Sequence, residues 1–188
     1  VSKSVISRFD AEKVYNESLK WAEKYDAELA EMLKADKEYA LKIFGIERGN
    51  KKPRKDIAKW SDVKNEISYM YDEKFYAQNV NYEYQKISDS DKIKTILDEY
   101  INNYFDENDD KQEWFNKIKE LAGKLGYASE VKEFKANPDK YEAHVGDVST
   151  VLRVALTART NTPDMYEIME IMGKDRIKER FEHAKKEL

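Results

Sequence analysis

Cysteine is absent from this chain of 188 residues, which excludes disulfides and thiolate metal sites together. The absence fits a reducing compartment, and the cytoplasm is the expected location. Only two histidines occur, His144 and His183, far apart and without metal-ligand spacing. Each is expected as a surface or turn residue, and no metal site is expected. No apolar run approaches the roughly 20 residues needed to span a bilayer. The start also lacks a charged segment followed by an apolar stretch and a small-residue cleavage site. The sequence therefore reads as that of a soluble protein with no membrane partner. Neither Gly-x-Gly-x-x-Gly nor Gly-x-x-x-x-Gly-Lys is present, so no loop of this chain is expected to cradle a nucleotide.

What is present is charge and helical periodicity. Charged residues make up 38% and apolar residues 40%, enough for a real core in one domain or two small ones. The net charge of −4 argues against a uniformly basic nucleic-acid binder. Its distribution is uneven, however. Arg48, Lys51, Lys52, Arg54, Lys55 and Lys59 crowd residues 48–59 against the single acid Asp56, while Asp106–Asp110 compensates. An acidic chain can thus present one basic face, although such a run taken alone reads as a solvated turn.

No segment alternates with the two-residue period of a half-buried strand, so the expected class is all-α. Ser7 and Asp10 resemble a capping box ahead of Val14, Leu19, Trp21 and Tyr25. The pattern continues through Leu29, Met32 and Leu33 and, after Asp36, through Ala40, Leu41 and Phe44, until Gly45, Gly49 and Pro53 break it. A further helix is expected from Ser61 or Asp62 through Tyr71. Residues 77–89 turn polar, which places a subdomain junction there, with subdomains 1–78 and 79–188. In the second, helices are expected through Ile93–Ile101, Trp114–Leu125 (closed by Gly126), Ser129–Lys135 and Val148–Leu156. Two more follow, one through Met165–Met172 and a last one through Ile177 and Phe181. Asp106, Asn108 and Asp110 match the first ligands of a calcium loop, but Lys111 and Lys117 occupy its glycine and closing-carboxylate positions. That turn is not a metal site.

The most specific stretch is Leu152-Arg-Val-Ala-Leu-Thr157, then Ala158-Arg-Thr-Asn-Thr162, then Pro163-Asp-Met-Tyr-Glu-Ile-Met-Glu-Ile-Met172 and Gly173. It predicts a helix, a tight connection, and a second helix with Thr162 as N-cap and Pro163 in its first turn. Gly173 suits the left-handed closing residue. Together with Lys20-Trp-Ala-Glu-Lys-Tyr25, Pro53-Arg-Lys-Asp-Ile-Ala-Lys-Trp-Ser-Asp62 and Trp114-Phe-Asn-Lys-Ile-Lys-Glu-Leu-Ala122, it resembles the C-terminal anticodon-binding region of bacterial-type glutamyl-tRNA synthetases. Ala158 and Asp164 depart from that pattern, standing where many members have glycine. Val1-Ser-Lys-Ser4 looks like the end of the Lys-Met-Ser-Lys-Ser loop of class I synthetases, but helices rather than parallel strands follow it.

The resemblance implies two helical, cage-like anticodon-binding subdomains. It implies tRNA(Glu) as partner and, in members that accept it, tRNA(Gln). Arg153 would hydrogen-bond an anticodon base, and Thr162, Pro163 and Met165 would surround another, with free amides at Asp164 and Met165. An arginine of the first subdomain would read the first anticodon base, Arg48 being the nearest and Arg54 the alternative. Lys51, Lys52, Lys55 and Lys59, with Arg54, would hold phosphates. Catalysis, ATP and Mg²⁺ would belong to an N-terminal catalytic domain before residue 1, a further partner. This chain would be inactive alone, with no catalytic residue or cofactor of its own. Two other readings stay open: a helical protein-interaction module on the same scaffold without RNA binding, and a small helical hydrolase, for which periodicity supplies no pocket.

Overall fold

A computed structural model describes residues 2–188. Among them are eleven α-helices and no strand, the all-α class the periodicity requires. Contacts divide the chain into two compact units, Val1–Asn79 and Val80–Leu188. Val1 lies outside the described residues. Ser2 N-caps α1 (Lys3–Ile6) by accepting the Val5 amide, so the residues that look like a nucleotide loop start a helical turn.

The first unit is built on aspartate. α2 (Ala11–Tyr25), α3 (Ala27–Ala35) and α4 (Lys37–Gly45) start at Asp10, Asp26 and Asp36. Their carboxylates accept the amides of Lys13, Leu29 and Tyr39 at 2.8, 3.1 and 3.0 Å. Each satisfies one of the amides a helix start leaves unpaired. Asp10, not Ser7, is therefore the cap of α2; Ser7 ends α1 and donates its hydroxyl to Ser4 O. Asp26 closes α2 and opens α3 at once, which divides a pattern that reads as continuous. Burial pushes its carboxyl up, but the Leu29 amide and Lys64, 3.1 Å away, hold it below the usual range on balance. After the residues 46–59 loop come a 3₁₀ turn (Trp60–Asp62), α5 (Val63–Ile67), a second 3₁₀ turn (Ser68–Met70) and α6 (Asp72–Ala77). Val14, Leu29, Leu33, Ala40, Val63, Met70 and Phe75 are buried in this unit.

In the second unit α10 (Val145–Thr157) is buried on most of its circumference, through Val148, Val151, Leu152, Val154, Ala155 and Leu156. A helix that is apolar nearly all round belongs at a centre. α7 (Ser90–Glu99), α8 (Lys111–Lys124) and α11 (Met165–Lys186) pack on it or on one another, and α9 (Val131–Ala136) is a short link. α7 runs into a π-helical turn, Tyr100–Tyr104, closed by Phe105 N–H on Tyr100 O at 2.9 Å. That turn buries Tyr100 and Ile101. Asp110 and Glu113 form a reciprocal capping box on α8, the role that the calcium-like turn plays. Gly126 (φ 87°) follows α8 as expected. α11 breaks at Gly173 (φ 77°, ψ 164°), a backbone region open essentially to glycine. The break separates the helix carrying Met165, Ile168, Met169 and Met172 from the one carrying Ile177 and Phe181, and Lys174 N–H donates to Glu107 Oε1 there.

The histidines are structural. His144 Nδ1 accepts the Gly146 amide at 2.9 Å as the cap of α10, and His183 Nδ1 lies 2.8 Å from the Tyr82 hydroxyl. Both are half-buried.

Candidate nucleic-acid interface

The connection from α10 to α11 is shaped by its own hydrogen bonds. Thr157 Oγ1 donates back to Arg153 O at 2.7 Å and accepts the Arg159 amide at 3.1 Å. Ala158 then takes the left-handed conformation (φ 57°, ψ 23°), with its amide on Val154 O at 2.7 Å. This is the helix-ending geometry that favours glycine, so alanine sits here under backbone strain. An L side chain in that region costs about 1–2 kcal/mol, part of which glycine returns in unfolded-chain entropy. Ala158→Gly is therefore expected to raise unfolding stability by about 0.5–1 kcal/mol, read as a higher urea midpoint at unchanged slope.

Arg153 projects from α10 onto the far side of this loop. Its Nη1 donates to Thr162 Oγ1, to Pro163 O at 3.2 Å and, more weakly, to Thr162 O at 3.4 Å. Thr162 Oγ1 donates to Pro163 O at 2.8 Å. The structure thus brings Arg153, Thr162 and Pro163 together, but as a latch within the protein.

Three expectations for this segment need correction. The helix begins at Met165, two residues later than read, and its cap is Asp164, whose Oδ1 accepts the Tyr166 amide at 3.1 Å. Thr162 cannot cap because its hydroxyl is engaged by Arg153 and Pro163, while Asp164 supplies a stronger, ionised acceptor. Pro163 accordingly precedes the helix. Met165 is 2% exposed and Thr162 5%, so neither side chain offers surface to a base as the loop stands. The Tyr166 amide, second in the helix, is already taken by Asp164. Asp164 is itself neutralised by Lys111 Nζ at 2.6 Å, a partner 53 residues away that no local sequence signal identifies.

The basic segment of the first unit is equally ordered. Arg48 is half-buried and donates Nε to Phe44 O at 2.5 Å and Nη1 to Ile6 O and Phe9 O at 3.0 and 3.2 Å. Burial pulls its pKa down, opposed by Asp10 and Asp56. It ties the ends of α1 and α4 together and so has a structural task that the sequence does not announce. Arg54 grips Asp56 with a two-pronged contact, Nε to Oδ2 at 2.8 Å and Nη2 to Oδ1 at 3.0 Å, with Glu47 3.9 Å away. The Asp56 hydrogen bond raises its pKa, against burial. Asp62 Oδ2 accepts the amides of Ala58 and Lys59 at 3.0 and 3.2 Å, and Ile57 is buried beneath the segment. Held this way, the segment presents Lys51, Lys52, Lys55 and Lys59 exposed, with no ion pair to any of them among the described residues. Four unpaired ammonium groups on an ordered loop are suited to phosphates.

No group of three or more His, Asp or Glu that could hold a metal occurs among the described residues, and no helix there is long and apolar enough to cross a membrane. Comparison with known proteins agrees with the resemblance in the sequence. Residues 27–185 match the family model of the anticodon binding domain. Glutamate–tRNA ligases are similar over nearly the whole chain. That of Acetivibrio thermocellus is 40% identical over 187 residues, covering 97% of this chain and 33% of the relative. Those of Clostridium perfringens and Sorangium cellulosum are 41% and 39% identical, each over 96% of this chain and 33% and 31% of the relative. The chain thus spans about a third of the length of the relatives it matches. With the family model covering all but the first 26 and last three residues, the chain belongs to the anticodon binding domain family.

Proposed function

We propose that this chain recognises the anticodon loop of tRNA(Glu) as the anticodon-binding part of a glutamate–tRNA ligase. The observation that carries the reading is the family match over residues 27–185, joined to relatives that are glutamate–tRNA ligases. Glutamate activation with ATP and Mg²⁺, and its transfer to tRNA, would belong to a catalytic domain of the same protein. The residues here do not fit that cofactor pair, since the sequence has no glycine-rich phosphate loop and the described residues form no cluster of metal-binding side chains. Residues 1–78 and 79–188 would act as two anticodon-binding subdomains, with tRNA(Gln) as a second substrate if the first anticodon base is read loosely.

In the second unit, Arg153 with the Thr162–Pro163 edge would meet a base, and Met165 would support that edge from the core. A latched loop is a useful reader, because unpaired bases are recognised by hydrogen bonding along exposed edges and by packing on preformed surfaces. In the first unit, the four lysines would hold phosphates. Arg48 is favoured over Arg54 as reader of the first anticodon base, since no bond from Arg48 Nη2 is made among the described residues while Arg54 closes both prongs on Asp56. The interaction-module reading is disfavoured by the surface. Among the described residues the exposed large apolar ones are Val5, Tyr25 and Val131, scattered along the sequence instead of forming one patch for a helix.

Equilibrium binding of the chain to tRNA(Glu), an anticodon-swapped version and tRNA(Gln) tests the reading. Arg153→Ala is expected to weaken tRNA(Glu) by about 1–3 kcal/mol and to relax anticodon selectivity. A loss equal across all three RNAs would reduce Arg153 to support of the loop. Absence of binding to tRNA(Glu) at low salt would remove the proposed function.

A further inference from the structure

Beside the exposed lysines of the first unit lies an aromatic pair with no role in the account so far. Phe9, just before α2, and Trp60, which opens the 3₁₀ turn after the basic loop, stack with ring centroids 6.4 Å apart and planes 22° from parallel. Lys13 Nζ sits 4.2 Å from the centre of the Phe9 ring. Both rings are half-buried and therefore part of the surface. The Trp60 indole N–H has no protein acceptor among the described residues and is not one of the buried unpartnered groups, so it stays open to solvent or to a ligand at the ring edge. Arg48 donates to Phe9 O, which places its guanidinium against the same corner, and Lys59 immediately precedes Trp60. The nearby carboxylates are already engaged: Asp10 by the Lys13 amide, Asp56 by Arg54, and Asp62 by the Ala58 and Lys59 amides.

We propose that Trp60, backed by Phe9, is a stacking platform for one unpaired nucleobase of the bound RNA, with Lys59 and Lys13 on the adjoining phosphates. The proposal deepens the anticodon-binding reading and rests on it. Three properties favour a base over an apolar partner. The indole is flat and fixed from one side by Phe9, so little freedom is lost on stacking. Its free N–H supplies a donor at the ring edge. Lys59, with no ion pair among the described residues, and Lys13, seated over the Phe9 ring, flank it, which complements a phosphate backbone and would repel a basic peptide. Aromatic stacking combined with a positive backbone track is the general solution for holding single-stranded nucleic acid.

The test measures affinity of the whole chain for a 17-nucleotide hairpin carrying the tRNA(Glu) anticodon loop, and for hairpins with a single abasic site at each loop position. Trp60→Ala should weaken the intact hairpin by about 10-fold or more, and Trp60→Phe by about 3-fold or less. At one loop position, abasic replacement should weaken the unmodified protein and abolish its advantage over Trp60→Ala. Helical circular dichroism of both variants reports on folding, and Trp60→Phe keeps a stacking ring if alanine disturbs the turn. Tight binding by the unmodified protein, with Trp60→Ala equal to it or with its loss unchanged at every abasic position, would overturn the platform while leaving anticodon binding intact. Failure of the unmodified protein to bind any hairpin and tRNA(Glu) alike would overturn both.

Discussion

Arg180→Ala is expected to cost about 4 kcal/mol of unfolding free energy, a large share of the roughly 5–15 kcal/mol available to a domain. Arg180 lies in the second half of α11 with none of its surface exposed. Its Nη1 donates to Leu156 O at 3.0 Å, in the last turn of α10. The final carbonyls of a helix lack intrahelical partners and carry the negative end of its dipole. A guanidinium there supplies both a donor and a favourable charge. Alanine would leave a cavity of several methylenes and an unpaired carbonyl in the centre of the unit. Arg180→Met keeps most of the volume and removes the buried charge, so its cost should be nearer 1–2 kcal/mol. Urea unfolding of the two variants separates the contributions. Equal, small losses would mean that the end of α10 is reached by water and that Arg180 is not its main support.

The second large effect concerns salt. Replacing Lys51, Lys52, Lys55 and Lys59 together with alanine should flatten the slope of log affinity against log salt by about 3, at about 0.7 per phosphate of a single strand. Between 50 and 200 mM salt, the unmodified chain should then lose about 50-fold more affinity than the variant. Anticodon preference should survive, because phosphate contacts position the RNA without reading it. An unchanged slope would place the lysines off the RNA. Stability should barely move, since none of the four makes an ion pair among the described residues.

The sequence was most legible where apolar spacing and a helix stop coincide. α8 follows from Trp114, Ile118, Leu121 and Ala122 ahead of Gly126, and the two parts of α11 follow from the Ile/Met run interrupted at Gly173. It was least legible where one side chain decides between two continuations. Asp26 lies inside an unbroken apolar pattern, and only its carboxylate on the Leu29 amide divides that pattern into two helices. At Thr162-Pro163-Asp164, two capping residues compete. Arg153 settles the matter from nine residues away by engaging Thr162, which leaves the cap to Asp164. Met165 is expected beside a base, although methionine at helical spacing is usually core, and its burial makes it core. Arg180 is invisible for a related reason. In a chain so rich in charge, arginine at helical spacing reads as solvated, and only the fold places it against the end of α10.

The single-residue joints at Asp26 and Asp36 also govern where this chain can be opened. A protease needs several residues of slack backbone, and insertions survive where hydrogen bonding and burial are slight. From Ala11 to Gly45 the first unit offers neither, since α2 and α3 each end on the residue that caps the next helix. Nicking, length variation and circular permutation in this unit are therefore confined to the stretch after Gly45, where the exposed Gly49, Asn50, Lys51 and Lys52 lie. Residues 49–52, at the start of the segment proposed to grip RNA, are thus where trypsin is expected to cut this unit, and bound RNA should shield them while the three-helix stretch resists with or without RNA.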